Sequence, residues 1–128
     1  MIEIYTDGAS KGNHDKNIIN QSYICIIVPD FGINIIETRK YLTNNEAEWE
    51  AFLEALKLAR ANKWEKIKVY SDSKLVVEQY NENWQCKDNK MMGYYIASKS
   101  IGEFIDVEIV WIPRDKNLAG IKLEQVFG

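Results

Sequence analysis

The sequence predicts an α/β domain: a mixed five-stranded sheet, an antiparallel meander followed by parallel strands, flanked by helices. Three observations carry this expectation. The first forty residues hold three β-type runs joined by turn-rich links, and from residue 43 onward helical and strand patterns alternate. The 128 residues are 46% hydrophobic, with four Trp, seven Tyr and four Phe, enough for one sizeable core and too few for two ordinary domains. A single domain spanning 1–128, monomeric by default, is expected.

Each element follows from a local pattern. Ile2, Ile4 and Thr6 alternate with Glu3 and Tyr5, residues 22–28 are β-branched and aromatic, and 33–41 make a third strand after the turn Pro29-Asp30-Phe31-Gly32. Thr43 and Glu46 form a capping-box signature, and Trp49, Phe52, Leu53, Leu56 and Ala59 recur at helical spacing, predicting a long helix to about Ala61. Lys66 to Ser71 reads as a fourth strand and Ser73 to Tyr80 as a short helix, with Asp72 placed to cap it. Residues 81–90 are polar and turn-like, 91–104 predict a helix interrupted by Gly93 and Gly102, and Val107 to Ile112 a fifth strand. After Pro113, Asn117 to Phe127 completes the chain as a short helix. Strand, helix, strand order implies parallel pairing by crossover.

Bulk properties narrow the function. A net charge of -3 argues against a binder whose affinity comes from a Lys/Arg surface, so contact with nucleic acid has to be local and helped by metal. No run approaches the roughly 18–20 apolar residues of a membrane span, and Met1 to Ser10 lacks the basic and apolar regions of a signal peptide. A soluble, cytoplasmic protein without membrane contact is expected. Cys25 and Cys86 lie far apart in unlike surroundings and read as free thiols.

Three carboxylates stand next to residues that place them at the edge of a core. Asp7 ends an apolar run and precedes the small residues Gly8, Ala9 and Ser10; Glu48 borders the buried face of its helix, unlike Glu50 and Glu54; Asp72 follows a strand, where α/β sheets place their ligands. Taken singly, each has an ordinary explanation as a turn residue, a solvated helix carboxylate or a cap. Desolvated together they require a cation, and oxygen-only ligands favour a hard one, Mg²⁺ or Mn²⁺.

The motifs Tyr5-Thr6-Asp7-Gly8-Ala9, Thr43-Asn44-Asn45-x-x-Glu48 and Tyr70-Ser71-Asp72-Ser73 resemble those of type 1 ribonuclease H over nearly the whole chain. The resemblance implies a ribonuclease H-like fold and endonucleolytic cleavage of the RNA strand of RNA/DNA hybrids. It also implies that Asp7, Glu48 and Asp72 hold two divalent ions when substrate is bound. By the same likeness the backbone of Gly8, Ala9 and Ser10 and the side chains of Asn44 and Asn45 approach the hybrid. Thr43 caps its helix or binds a phosphate, and Arg114 contacts phosphate where the family often places a His. The one histidine, His14, reads as a surface residue of the Lys11 to Asn17 loop. Trp84 reads as a partly buried core residue, with stacking on a sugar as its alternative. The short, mildly basic stretch around Trp84 implies weak substrate affinity.

One departure stands out. In Trp111-Ile112-Pro113-Arg114-Asp115-Lys116-Asn117-Leu118-Ala119-Gly120, Gly120 occupies the place where the family carries a fourth carboxylate. Asn117, through its amide oxygen, is the favoured replacement, with Glu124 and then Asp115 behind it; a simple helix cap is the alternative role for Asn117. A second functional reading follows: a ribonuclease H-like nucleic-acid-binding module with impaired turnover.

Overall fold

The computed structural model describes residues 1–11 and 21–128, Lys11 by its backbone alone; the loop carrying His14 lies outside them. Five strands form one sheet in the order β3-β2-β1-β4-β5: β1 (Ile2–Lys11), β2 (Gln21–Val28), β3 (Ile33–Lys40), β4 (Lys66–Ser71) and β5 (Asp106–Trp111). β1 pairs antiparallel with β2 and β2 with β3, whereas β1 pairs parallel with β4 and β4 with β5. Helices α1 (Asn44–Ala61), α2 (Lys74–Tyr80), α3 (Asn89–Gly102) and α4 (Leu118–Phe127) complete the expected mixed architecture. No helix among the described residues is long and apolar enough to cross a membrane.

Both faces of the central strands are covered. Ile26 and Val28 of β2 join the main core with Trp49, Phe52 and Leu56 of α1, while Cys25 and Ile27, pointing the opposite way, pack with Ala119 and Leu123 of α4. That two-sided burial is why β2 reads as a continuous apolar run and not as an alternation. Trp49, Phe52 and Leu56 are fully buried, each contributing about 2 kcal/mol of apolar transfer free energy. The Trp49 indole N–H donates to Gln79 Oε1 at 2.8 Å, which satisfies the one polar atom this burial would strand.

α1 begins at the expected capping box: Thr43 Oγ1 accepts from the Glu46 N–H and Glu46 Oε1 accepts from the Thr43 N–H, both at 3.2 Å. Two expectations at strand ends are corrected. β1 extends to Lys11, pairing Asp7 with Cys25 and Ser10 with Ser22, so Asp7 lies within a strand and does not open a turn. The small residues after it serve close packing: a Cβ on Gly8 would overlap the backbone carbonyl of Ala47 in α1. Asp72 does not cap α2; Ser73 does, its hydroxyl accepting from the Val76 N–H at 3.2 Å. α3 runs through Gly93 without a break.

Gly8→Ala is expected to destabilise the fold by about 2–3 kcal/mol, since the obstructing atoms are backbone and α1 has to shift bodily. The urea midpoint measures it, and an unchanged midpoint contradicts the close approach of β1 and α1.

Candidate active site

Asp7 lies within β1, beyond the last residue paired with β4, Asp72 follows the end of β4, and Glu48 sits one turn into α1. The fold thereby gathers carboxylates from three elements at the point where the sheet switches from antiparallel to parallel pairing. One oxygen of each lies within 4.8 Å of the others. Glu48 is oriented by the Gly8 N–H, which donates to its Oε1 at 2.6 Å. The same close packing that forbids a side chain at Gly8 therefore aims Glu48.

Asp7 is the most constrained of the three. It is 1% exposed, and neither carboxylate oxygen has a hydrogen-bond donor within reach among the described residues. Burial first, and the Asp72 charge second, push its carboxyl up to about 6, against the pull of Glu48 and Arg114. Burial, reinforced by the charge of Asp7, holds Glu48 well above the usual carboxylate range. The two titrate as one unit, so the shifts belong to the pair. An all-oxygen donor set with two bare, buried oxygens fits a hard divalent cation, which would supply the charge that no side chain provides.

These shifts give a pH signature. A carboxyl whose folded pKa is raised stabilises the fold below its unfolded pKa and loses that contribution as pH rises through the folded value. For Asp7 the window runs from 3.8 to about 6. The protein in EDTA should therefore melt at lower temperature at pH 7 than near pH 4.5. Millimolar Mg²⁺ or Mn²⁺ should recover the difference at pH 7 and do little at the lower pH. A melting temperature independent of metal at pH 7 contradicts the cation fit.

Beside the carboxylates opens a groove of about 450 Å³ lined by Gly8, Ala9, Ser10, Asn44, Asn45, Glu48, Ser73, Lys74, Leu75 and Arg114. Six of the seven residues expected to meet substrate thus share one surface; Thr43 lines an adjoining depression with Lys87 and Lys90. Asn44 Oδ1 accepts from the Ser10 N–H at 2.8 Å, leaving its amide N–H groups facing outward as donors. Lys74 and Trp111 were not foreseen. The Trp111 indole N–H donates to the Asp72 carbonyl at 3.1 Å, and Lys74 Nζ lies 5.3 Å from the centroid of its ring. A Lys one position beyond the cap of α2 was the available signal for the former; the latter needs the parallel register Ser71↔Trp111, which no local pattern reveals.

The tail residues behave differently from expectation. Asn117 is fully buried, and its Nδ2 donates to the Thr6 carbonyl at 2.9 Å and to Asp72 Oδ2 at 3.0 Å, while its Oδ1 accepts from the Ala119 N–H at 3.1 Å. A carbonyl accepts and an amide N–H donates, so these partners fix the orientation. The oxygen expected to ligate a cation is turned to the helix cap, and N–H faces the carboxylates. Asp115 is exposed in the turn Arg114–Lys116 and lies outside the carboxylate group. Trp84 is 49% exposed, contrary to a core role.

A carboxylate cluster at the strand ends of this mixed sheet is the arrangement of the ribonuclease H class, and comparison with known proteins agrees. A family described as "Reverse transcriptase-like" matches residues 31–123. The chain is 37% identical to the ribonuclease H of Clostridium botulinum over 77% of its own length, spanning 64% of that enzyme. It is 30% identical to the EbsB protein of Enterococcus faecalis, over 93% of this chain and 87% of that one. Its fold is similar to that of RNase H1 from Halobacterium salinarum, with a TM-score of 0.79 and 26% identity over 95% of this chain and 92% of that one. LC11-RNase H1, solved in complex with an RNA/DNA hybrid, matches with a TM-score of 0.77 and 25% identity over 100% of both chains. The chain belongs to the type 1 ribonuclease H family.

Proposed function

We propose that this chain is an endoribonuclease that cleaves the RNA strand of RNA/DNA hybrids, with Asp7, Glu48 and Asp72 holding divalent cations, Mg²⁺ or Mn²⁺, two when substrate is bound. The observation that carries the reading is the buried carboxylate of Asp7, without a hydrogen-bond donor among the described residues, clustered with Asp72 and with Glu48, which lines an open groove. A binding module gains nothing from three charges that repel phosphate. Cations held by Asp7, Glu48 and Asp72 would supply Lewis acidity for water attack at phosphorus and positive charge for the departing 3′ oxygen.

The protein's own groups position the substrate. The backbone around Gly8 to Ser10 and the outward amides of Asn44 and Asn45 suit the ribose 2′-OH, the atom that separates RNA from DNA across a wide, shallow minor groove. Arg114 and Lys74 border the groove as phosphate contacts. Exposed Trp84 offers a stacking face for a sugar beyond it. That LC11-RNase H1 binds an RNA/DNA hybrid supports the choice of substrate.

Incubation of the folded protein with labelled hybrid, duplex DNA and duplex RNA, in Mg²⁺, Mn²⁺ and EDTA, tests the proposal. Cleavage confined to the RNA of the hybrid and abolished by EDTA is expected. Hybrid binding without cleavage in either metal overturns the enzyme reading in favour of a binding module.

A further inference from the structure

Gly120 is where the site departs from four carboxylates, and its surroundings identify a replacement. A Cβ built on Gly120 would lie 3.4 Å from Asp7 Oδ2 and 3.4 Å from Asp72 Oδ2, so a side chain beginning there would enter the cluster directly. The two donor-free oxygens of buried Asp7 point independently to a ligand at this place. Asn117 has no free acceptor to offer it: its oxygen is held by the Ala119 N–H.

Glu124 is the next carboxylate on the same side of α4, one turn beyond Gly120 and about 6 Å along the axis. It lines a groove with Gly120, Ile121 and Arg114 and is exposed. Its carboxylate is turned toward Gly128, where a Cβ would lie 3.0 Å from Oε1. Long side chains on a helix ordinarily lean back over the residue four positions earlier. Here that residue is Gly120, which has no side chain to stand between such an arm and the oxygens of Asp7 and Asp72.

We infer that Glu124 is the fourth acidic residue of the cation site, rotating back across Gly120 to face Asp7 and Asp72. The inference rests on the cation-holding part of the function proposed above. A short, fixed ligand at 120 has been exchanged for a longer arm from 124, which has rotamer freedom to lose on engagement. The chain's own site is accordingly weaker than one with Asp at 120.

Mn²⁺ binding by calorimetry at pH 7.5, on wild type, Glu124→Gln, Gly120→Asp and the double variant, tests this, with hybrid cleavage measured alongside. Because ligand charge count sets the affinity of such sites, Glu124→Gln should bind Mn²⁺ about tenfold more weakly, with its melting temperature in EDTA unchanged. Gly120→Asp should bind more tightly than wild type, and the double variant should bind like Gly120→Asp. Glu124→Gln that binds Mn²⁺ as wild type does overturns the inference. A wild-type protein that cuts no hybrid, with Mn²⁺ affinity still dependent on Glu124, leaves the inference standing and overturns the substrate reading alone.

Discussion

Asp7→Asn is expected to lower hybrid cleavage by on the order of 10³-fold, while raising the stability of the metal-free protein at pH 7 by about 1–3 kcal/mol. The two effects have one cause. Asp7 is buried, has no donor among the described residues and faces Asp72 and Glu48, so its charge is costly to the apo fold and valuable only when a cation shares it. The amide keeps the shape and removes the charge. Glu48, relieved of its neighbour, should then titrate closer to its ordinary range, since the Asp7 charge is one of the causes holding it up. Cleavage assays and thermal melts in EDTA check both halves. A variant that is inactive and also less stable at pH 7 would mark Asp7 as a structural residue, contradicting its place in a cation site.

Asn117→Ala should cost about 3 kcal/mol of stability, because it breaks three hydrogen bonds, two of them to fully buried partners, the Thr6 carbonyl and the Ala119 N–H, and one to part-buried Asp72 Oδ2. For a chain of this size that corresponds to a fall in melting temperature of roughly 10 °C. Activity should drop as Asp72 loses its orienting donor. Mn²⁺ affinity, measured at a temperature where the variant is folded, should change by less than about threefold, since no ligand has been removed. A selective loss of Mn²⁺ affinity in a stable protein would return Asn117 to the role of ligand that its position in the sequence first suggested.

The fold was legible because local pattern and global architecture agree along most of the chain. The capping box at Thr43 and Glu46, the apolar stripe of α1 and the β-branched runs of β2 and β4 each specify an element without help from the rest. The three carboxylates were legible as a set for a similar reason: each adjoins a strand end or a buried helix face whose position the pattern reveals.

What escaped was decided by partners distant in sequence. Gly8, Ala9 and Ser10 have little intrinsic preference for strand, and only their pairing with β2 holds them in one. Asp72 and Ser73 are equally good caps, so the choice between them, which frees Asp72 for the cluster, turns on a single residue of register. The orientation of the Asn117 amide depends on the Thr6 carbonyl and the Ala119 N–H acting together. No reading of the tail alone supplies it. Trp84 illustrates the converse: a large aromatic residue invites a core assignment, yet in this polar segment it is Cys86 that packs against the core while Trp84 stays exposed.

The bond from Asn117 to Thr6 joins residues 111 positions apart. The contacts of β1 to β3 and α1 are local in sequence, whereas the donor that orients Asp72 is Asn117, the cap of α4. The carboxylate cluster is therefore not fully oriented until the segment carrying Asn117 has joined β1. Joining residues so far apart carries the entropic cost of closing a long loop, a cost that the packing of α4 on β1 and β2 has to offset.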